Sequence, residues 1–231
     1  RSKILNYKDN RQFAFLDKRK NQYYFHNLFS RDSVFSNLLP KDKYLKIYER
    51  ILGKKFKCGF YSANALKPGA RGQLFHIDHP YPTIEVKKAT SDKFSYKKPL
   101  NMQSLLFLTD INDDNGPTSF VPYSQLLQLN PSYLKIKIDE ENKRVYCKQR
   151  NKKFLMEYID FKGKAGTMVI FNGLAWHRGG YNYSFDKNRI ALLGQWIPNF
   201  IIPMHQFTIK KNKIKQKVLQ LISGNEFPAI V

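Results

Sequence analysis

The chain has 231 residues, of which 42% are hydrophobic and 15% aromatic, and a formal net charge of +22. That apolar content excludes a disordered chain and suffices for one sizeable core, so residues 1–231 are expected to form a single domain. The lysines recur in short groups (Lys41 to Lys57, Lys97-Lys98, Lys143 to Lys153, Lys210 to Lys217), which read as solvated faces. No zinc finger, Gly-rich phosphate loop or RNA-recognition signature accompanies them.

Taken in chain order, residues 1–55 read as a helical and irregular support. Within it, Pro40-Lys41-Asp42 starts a helix whose apolar face uses Tyr44, Leu45, Ile47, Tyr48, Ile51 and Leu52, and Gly53 stops it. Residues 56–199 read as a β-rich core, mainly β overall with flanking helices. Phe56 to Leu66 is the first strand, Lys67-Pro68-Gly69 a turn and Gly72 to Asp78 the next strand. Pro80 to Pro99 is polar and Lys-rich and reads as a loop over the mouth of the core, where Lys87, Lys88, Lys97 and Lys98 form a basic rim suited to an anionic small substrate. Met102 to Thr109 is a central strand, Asp113-Asp114-Asn115-Gly116-Pro117 a turn, and Thr118 to Val121 a short strand. Asp113 and Asp114 are turn residues, since no acidic residue follows at the spacing of a calcium loop.

Tyr133 to Tyr158 reads as a hairpin-like insertion, Thr167 to Asn172 as a strand ending before Trp176-His177, and Ile190 to Leu193 as a buried strand opened by Arg189. Residues 200–231 form a C-terminal extension, with a basic amphipathic helix over Asn212 to Ser223 stopped by Gly224. Cys58 and Cys147 are too far apart for a Cys-x-x-Cys clip and read as ordinary thiols of a reducing compartment. No apolar run approaches a membrane span and no charged-then-apolar leader is present, so a cytoplasmic location is expected.

The chemistry concentrates in two short pieces. Side chains alternate faces along a strand, so His76 and Asp78 project from the same side while Ile77 and His79 project from the other, which makes His79 structural. Alone, His-x-Asp is a weak motif, and a strand histidine is more often a hydrogen-bonded residue than a ligand. A second imidazole from a distant strand would complete a two-His, one-carboxylate triad, which holds Fe(II) on one face and leaves the others open. His177 is the candidate. Arg189 adds a second signal, because a guanidinium entering an apolar strand needs an anionic partner and its fork suits a carboxylate.

The order His76-x-Asp78, Asp110 to Asn115-Gly116-Pro117, Gly166-Thr167, His177, Asn182, Ser184 and Arg189 resembles the phytanoyl-CoA dioxygenase-like branch of the Fe(II)/2-oxoglutarate oxygenases, over roughly Phe56 to Pro198. The resemblance implies a double-stranded β-helix, the distorted jelly roll also seen in cupins. By the same resemblance His76, Asp78 and His177 bind iron and are the catalytic centre, O2 takes an open position, and Arg189 holds the distal carboxylate of 2-oxoglutarate. Tyr61, Gln103, Asn182 and Ser184 are further candidates for contacting that co-substrate. The segment that commonly reads Pro-Gly-Ser-His is here Pro122-Tyr123-Ser124-Gln125, and Gly179 replaces a frequent serine. The implied activity is hydroxylation of an unactivated C–H of a small molecule, with 2-oxoglutarate decarboxylated to succinate and CO2. The carboxylate at Asp78 favours this outcome, since related halogenases have a small residue there. A nucleic-acid-directed oxygenase or binding protein and a cupin-like jelly roll without 2-oxoglutarate chemistry are the alternatives.

Overall fold

A computed structural model of the chain describes residues 21–39, 42–78, 99–127, 129–149 and 151–204. The chain forms β1 (Gln22–Phe25), α1 (Leu28–Arg31), a 3-10 turn over Ser33–Leu38 and α2 (Asp42–Leu52). There follow β2 (Phe56–Leu66), β3 (Met102–Phe107), β4 (Thr118–Phe120), β5 (Lys135–Asp139), β6 (Arg144–Gln149) and β7 (Lys152–Glu157). The last strands are β8 (Ile159–Phe161), β9 (Met168–Asn172), β10 (His177–Gly179) and β11 (Arg189–Pro198). They make a jelly roll. The larger sheet has the order β1-β2-β11-β3-β9, the facing sheet β10-β4-β8, and every pairing is antiparallel.

Residue alternation sorts the side chains into three layers. Cys58, Tyr61, Ala63, Ala65, Ile190, Leu192 and Trp196 leave the outer face of the larger sheet and pack under α1 and α2. Leu105, Phe107, Phe120, Phe171 and Ala191 fill the space between the two sheets. On the far side, Phe75, Ile77 and Trp176 pack against Val145 and Cys147 of a third sheet, β5-β6-β7. Both cysteines are free and buried.

Tyr48 of α2 stacks on Trp196 with centroids 4.9 Å apart, and the indole Nε1 donates to Ser104 Oγ at 3.0 Å, so this pair fastens the helix to the sheet. Trp196→Ala is expected to lower the unfolding free energy by about 3–5 kcal/mol, measured by urea denaturation, because the emptied space lies between rigid layers.

Four sequence expectations need correction. The N-terminal support, expected to be helical and irregular, also holds a strand, because Gln22–Phe25 pairs with β2 and satisfies what would otherwise be an open sheet edge. Ile47 is exposed and lies off the apolar face of α2, of which Tyr48 is the buried centre. The insertion before Tyr158 is a three-stranded meander, not a hairpin, turned at Lys143 in the left-handed region. Gly72 to Asp78 is not a regular strand. Gln73 Oε1 accepts from Gly179 N while Gln73 N donates to Gly179 O, so a side chain occupies the place of a ladder partner and only His76 makes a true bridge. His79, the Pro80 to Lys98 stretch with its basic rim, and the Asn212 to Ser223 helix lie outside the described residues. Among the described residues, no helix is long and apolar enough to cross a membrane.

Candidate metal centre and active site

His76 and His177 are directly opposite each other as an antiparallel pair that exchanges both backbone hydrogen bonds, His76 N to His177 O at 2.9 Å and the reverse at 3.0 Å. The pairing puts their rings on one face with centroids 4.4 Å apart. Asp78, two residues on, joins them. One ligand atom from each of His76, Asp78 and His177 lies within 4.8 Å of the others.

The ring nitrogens have separate roles. His76 Nδ1 lies 2.8 Å from Leu74 O and His177 Nδ1 2.9 Å from Ala175 O, so each Nδ1–H donates to a carbonyl and each Nε2 lone pair is turned toward Asp78. Two lone pairs facing a carboxylate repel unless a cation stands between them. Charge behaves accordingly. Burial, followed by the neighbouring His177, lowers the His76 pKa. For His177 burial acts downward, but Asp78 outweighs it and raises the pKa; for Asp78 burial acts upward and the two imidazoles outweigh it. Phe120 stacks on His177 at 5.5 Å and Phe171 meets it edge-on at 5.0 Å, fixing the ring in the inner layer.

Asp78 is held from behind. Asn101 Nδ2 donates to its carbonyl oxygen at 2.5 Å, and Asp78 N donates to Gly173 O at 2.9 Å. A Cβ on Gly173 would stand 1.3 Å from Asn101 Oδ1, so only glycine lets the amide reach this position. Gly173→Ala is expected to displace Asn101 and weaken Mn(II) or Co(II) binding by about 10–100-fold, the usual cost of losing an outer-shell partner, as read by metal titration. An unchanged metal affinity would show that Asp78 does not depend on this support.

The same cavity, about 570 Å³, is lined by the three candidate ligands, Gln103 and Arg189. Arg189 is buried, donates from Nη2 to Thr118 Oγ1 at 2.8 Å and from Nη1 to Asn64 Oδ1, and leaves Nε without a partner among the described residues. Burial pushes its pKa down to about 10. Among the described residues no carboxylate pairs with it, so a buried cation faces a cavity in need of an anion.

The remaining expected co-substrate contacts divide. Gln103 lines the cavity. Tyr61 does not: it points out of the opposite face, stacks on Phe29 at 4.6 Å and donates to Leu38 O, because alternation along β2 turns Phe60 and Asn64 inward instead. Asn182 and Ser184 are also out of reach. Asn182 donates to Leu66 O and Lys187 O, and Ser184 donates to Asn182 Oδ1, a network that braces the turn from which Arg189 enters its strand. The residues that sequence reading missed are Asn64 and Thr118, the acceptors on Arg189, and Gln22, Tyr24 and His26, from β1 and just after it, which line the cavity. Asn64 had a signal, an amide at an inward position of an apolar strand.

Comparison with known proteins adds the family. The phytanoyl-CoA dioxygenase (PhyH) family matches residues 3–191. The chain belongs to this family. A relative, dioxygenase af480 from Aspergillus fumigatus, is 22% identical over 192 residues, covering 81% of this chain and 52% of the relative. The chain thus spans about half the length of that relative. Among solved structures, it resembles the non-heme alpha ketoglutarate dependent epimerase SnoN from nogalamycin biosynthesis, with a TM-score of 0.54 and 15% identity over 78% of this chain and 63% of that one. It also resembles HygX from Streptomyces hygroscopicus, solved with nickel, 2-oxoglutarate and hygromycin B bound, with a TM-score of 0.53 and 12% identity over 82% of this chain and 75% of that one. These likenesses establish the fold that this family member shares with them.

Proposed function

We propose that the chain is a non-haem Fe(II)- and 2-oxoglutarate-dependent dioxygenase that hydroxylates a C–H bond of a small molecule. One observation carries the reading: a His-Asp-His set with both Nε2 atoms presented and a buried arginine without a carboxylate partner among the described residues open onto one cavity. Their spacing supports it. Thr118, which holds Arg189, lies opposite Gly179, and Phe120, which stacks on His177, lies opposite His177 itself, so the two sites are two strand positions, about 7 Å, apart. A five-carbon dicarboxylate is of that reach.

The residues fit both groups: His76 Nε2, Asp78 and His177 Nε2 would hold the iron, and Arg189, oriented by Asn64 and Thr118, would hold the distal carboxylate of 2-oxoglutarate. When bound, the pair supplies the oxidising chemistry, in which O2 and 2-oxoglutarate are consumed and succinate and CO2 released. The chain's own residues do the rest. Leu74 O and Ala175 O keep the imidazole protons on Nδ1, Asn101 holds the Asp78 backbone, and Leu105, Leu193 and Phe171 keep the floor apolar so that water is excluded around the bond to be attacked.

The test is succinate release from 2-oxoglutarate under air with added Fe(II), with and without a chelator. Iron-dependent succinate is expected even without substrate, as slow uncoupled turnover. A protein that binds neither Mn(II) nor 2-oxoglutarate would overturn the reading.

A further inference from the structure

Gln103 stands apart among the cavity residues, being neither one of the three candidate metal ligands nor an acceptor for Arg189. It is 3% exposed, lines the cavity from β3, and its Nε2 has no hydrogen-bond partner among the described residues. Buried amide donors are normally paired, and an orphaned one at a cavity wall marks where a ligand atom belongs.

Its place in the sheet says which ligand. Arg189 begins β11 opposite Leu66, and the same strand reaches Gln195, which pairs with Gln103 across β3. That separation is about 20 Å along the strand, so Gln103 lies beyond the far end of a five-carbon dicarboxylate anchored at Arg189. Gln103 is also the register partner of Phe171, the ring set edge-on to His177 at 5.0 Å. It therefore belongs to the metal's end of the cavity, with the apolar Leu105 and Leu193 between it and Arg189. The expectation that Gln103 contacts the co-substrate does not suit this position.

We propose that Gln103 is a substrate-recognising residue, and that the substrate presents a carbonyl, hydroxyl or carboxylate oxygen to Gln103 Nε2 while its apolar part rests on Phe171 and Leu105. The inference rests on the oxygenase reading and names the substrate class of that site. Such an oxygen would fix which C–H faces the metal. A molecule lacking it leaves the amide unpaired and is rejected, which is a stronger discrimination than an apolar pocket achieves by shape.

The experiment uses the full chain loaded with Zn(II) as a diamagnetic stand-in and saturated with 2-oxoglutarate. Matched probes, cyclohexanone with cyclohexane and cyclooctanone with cyclooctane, are compared by saturation-transfer NMR in the wild type, Gln103→Met and Gln103→Glu. The wild type is expected to prefer the ketones by at least about tenfold. Gln103→Met, which keeps the volume, and Gln103→Glu, which replaces the donor by an acceptor, are each expected to lose the preference while the 2-oxoglutarate Kd stays within about twofold of wild type. The two variants guard against one failing to fold. Equal binding of ketone and hydrocarbon by the wild type would overturn the proposal, as would a 2-oxoglutarate Kd about tenfold weaker in either folded variant, which would make Gln103 a co-substrate contact. Failure of the wild type to bind 2-oxoglutarate at all would overturn the oxygenase reading beneath it.

Discussion

Arg189→Leu is expected to raise the 2-oxoglutarate KM by roughly a hundredfold, because truncating one side of a buried charge-assisted pair costs about 2–5 kcal/mol. The apo fold should tell a different story. Arg189 is buried without a carboxylate partner among the described residues, so replacing it by an apolar side chain removes a desolvated charge and is expected to leave the melting temperature of the ligand-free protein unchanged or higher. In the wild type, saturating 2-oxoglutarate at about a hundred times its Kd adds roughly 2.7 kcal/mol of stability. The variant should lose that increment. Thermal scans with and without 2-oxoglutarate check both halves, and a variant that keeps the wild-type KM would assign the carboxylate to some other cation.

His177→Ala and Asp78→Ala are each expected to reduce iron-dependent succinate release by at least about a hundredfold, more than the loss of an outer-shell partner costs. They should differ in what remains. Without His177, Phe120 and Phe171 lose a ring they both contact, so a modest loss of stability accompanies the loss of metal. Without Asp78, the two imidazoles lose the carboxylate that offsets their mutual repulsion. Titration with Mn(II), read alongside urea unfolding, separates a missing ligand from an unfolded site. Normal metal affinity in either variant would remove that residue from the centre.

Much of the arrangement was legible in the sequence because it follows from strand periodicity. Alternation predicts His76 and Asp78 on one face and Phe75 and Ile77 on the other, an order the chain keeps although Gly72 to Asp78 is not a regular strand, and the apolar run after Arg189 marks the central strand of the larger sheet. What escaped depends on neighbours that sequence does not order. Tyr61 and Phe60 are adjacent in one strand, and only knowing which face meets the helices decides that Phe60, not Tyr61, reaches the cavity. Asn182 and Ser184 precede Arg189 closely enough to suggest a shared ligand, yet their polar atoms are used on Leu66 and Lys187 carbonyls. β1 was missed for a related reason. Four residues carry too little periodicity to announce a strand, and the edge of β2 supplies the order.

The clamp of Asn101 on Asp78 divides the work of one residue between its main chain and its side chain. Asn101, 23 residues on, reaches back to the candidate metal centre and holds the Asp78 carbonyl. The hold is on the main chain: with Asp78 N donating to Gly173 O, the backbone of Asp78 is gripped at both its amide and its carbonyl. The carboxylate carries none of that grip, so its oxygens stay turned to His76 and His177 and available to a metal.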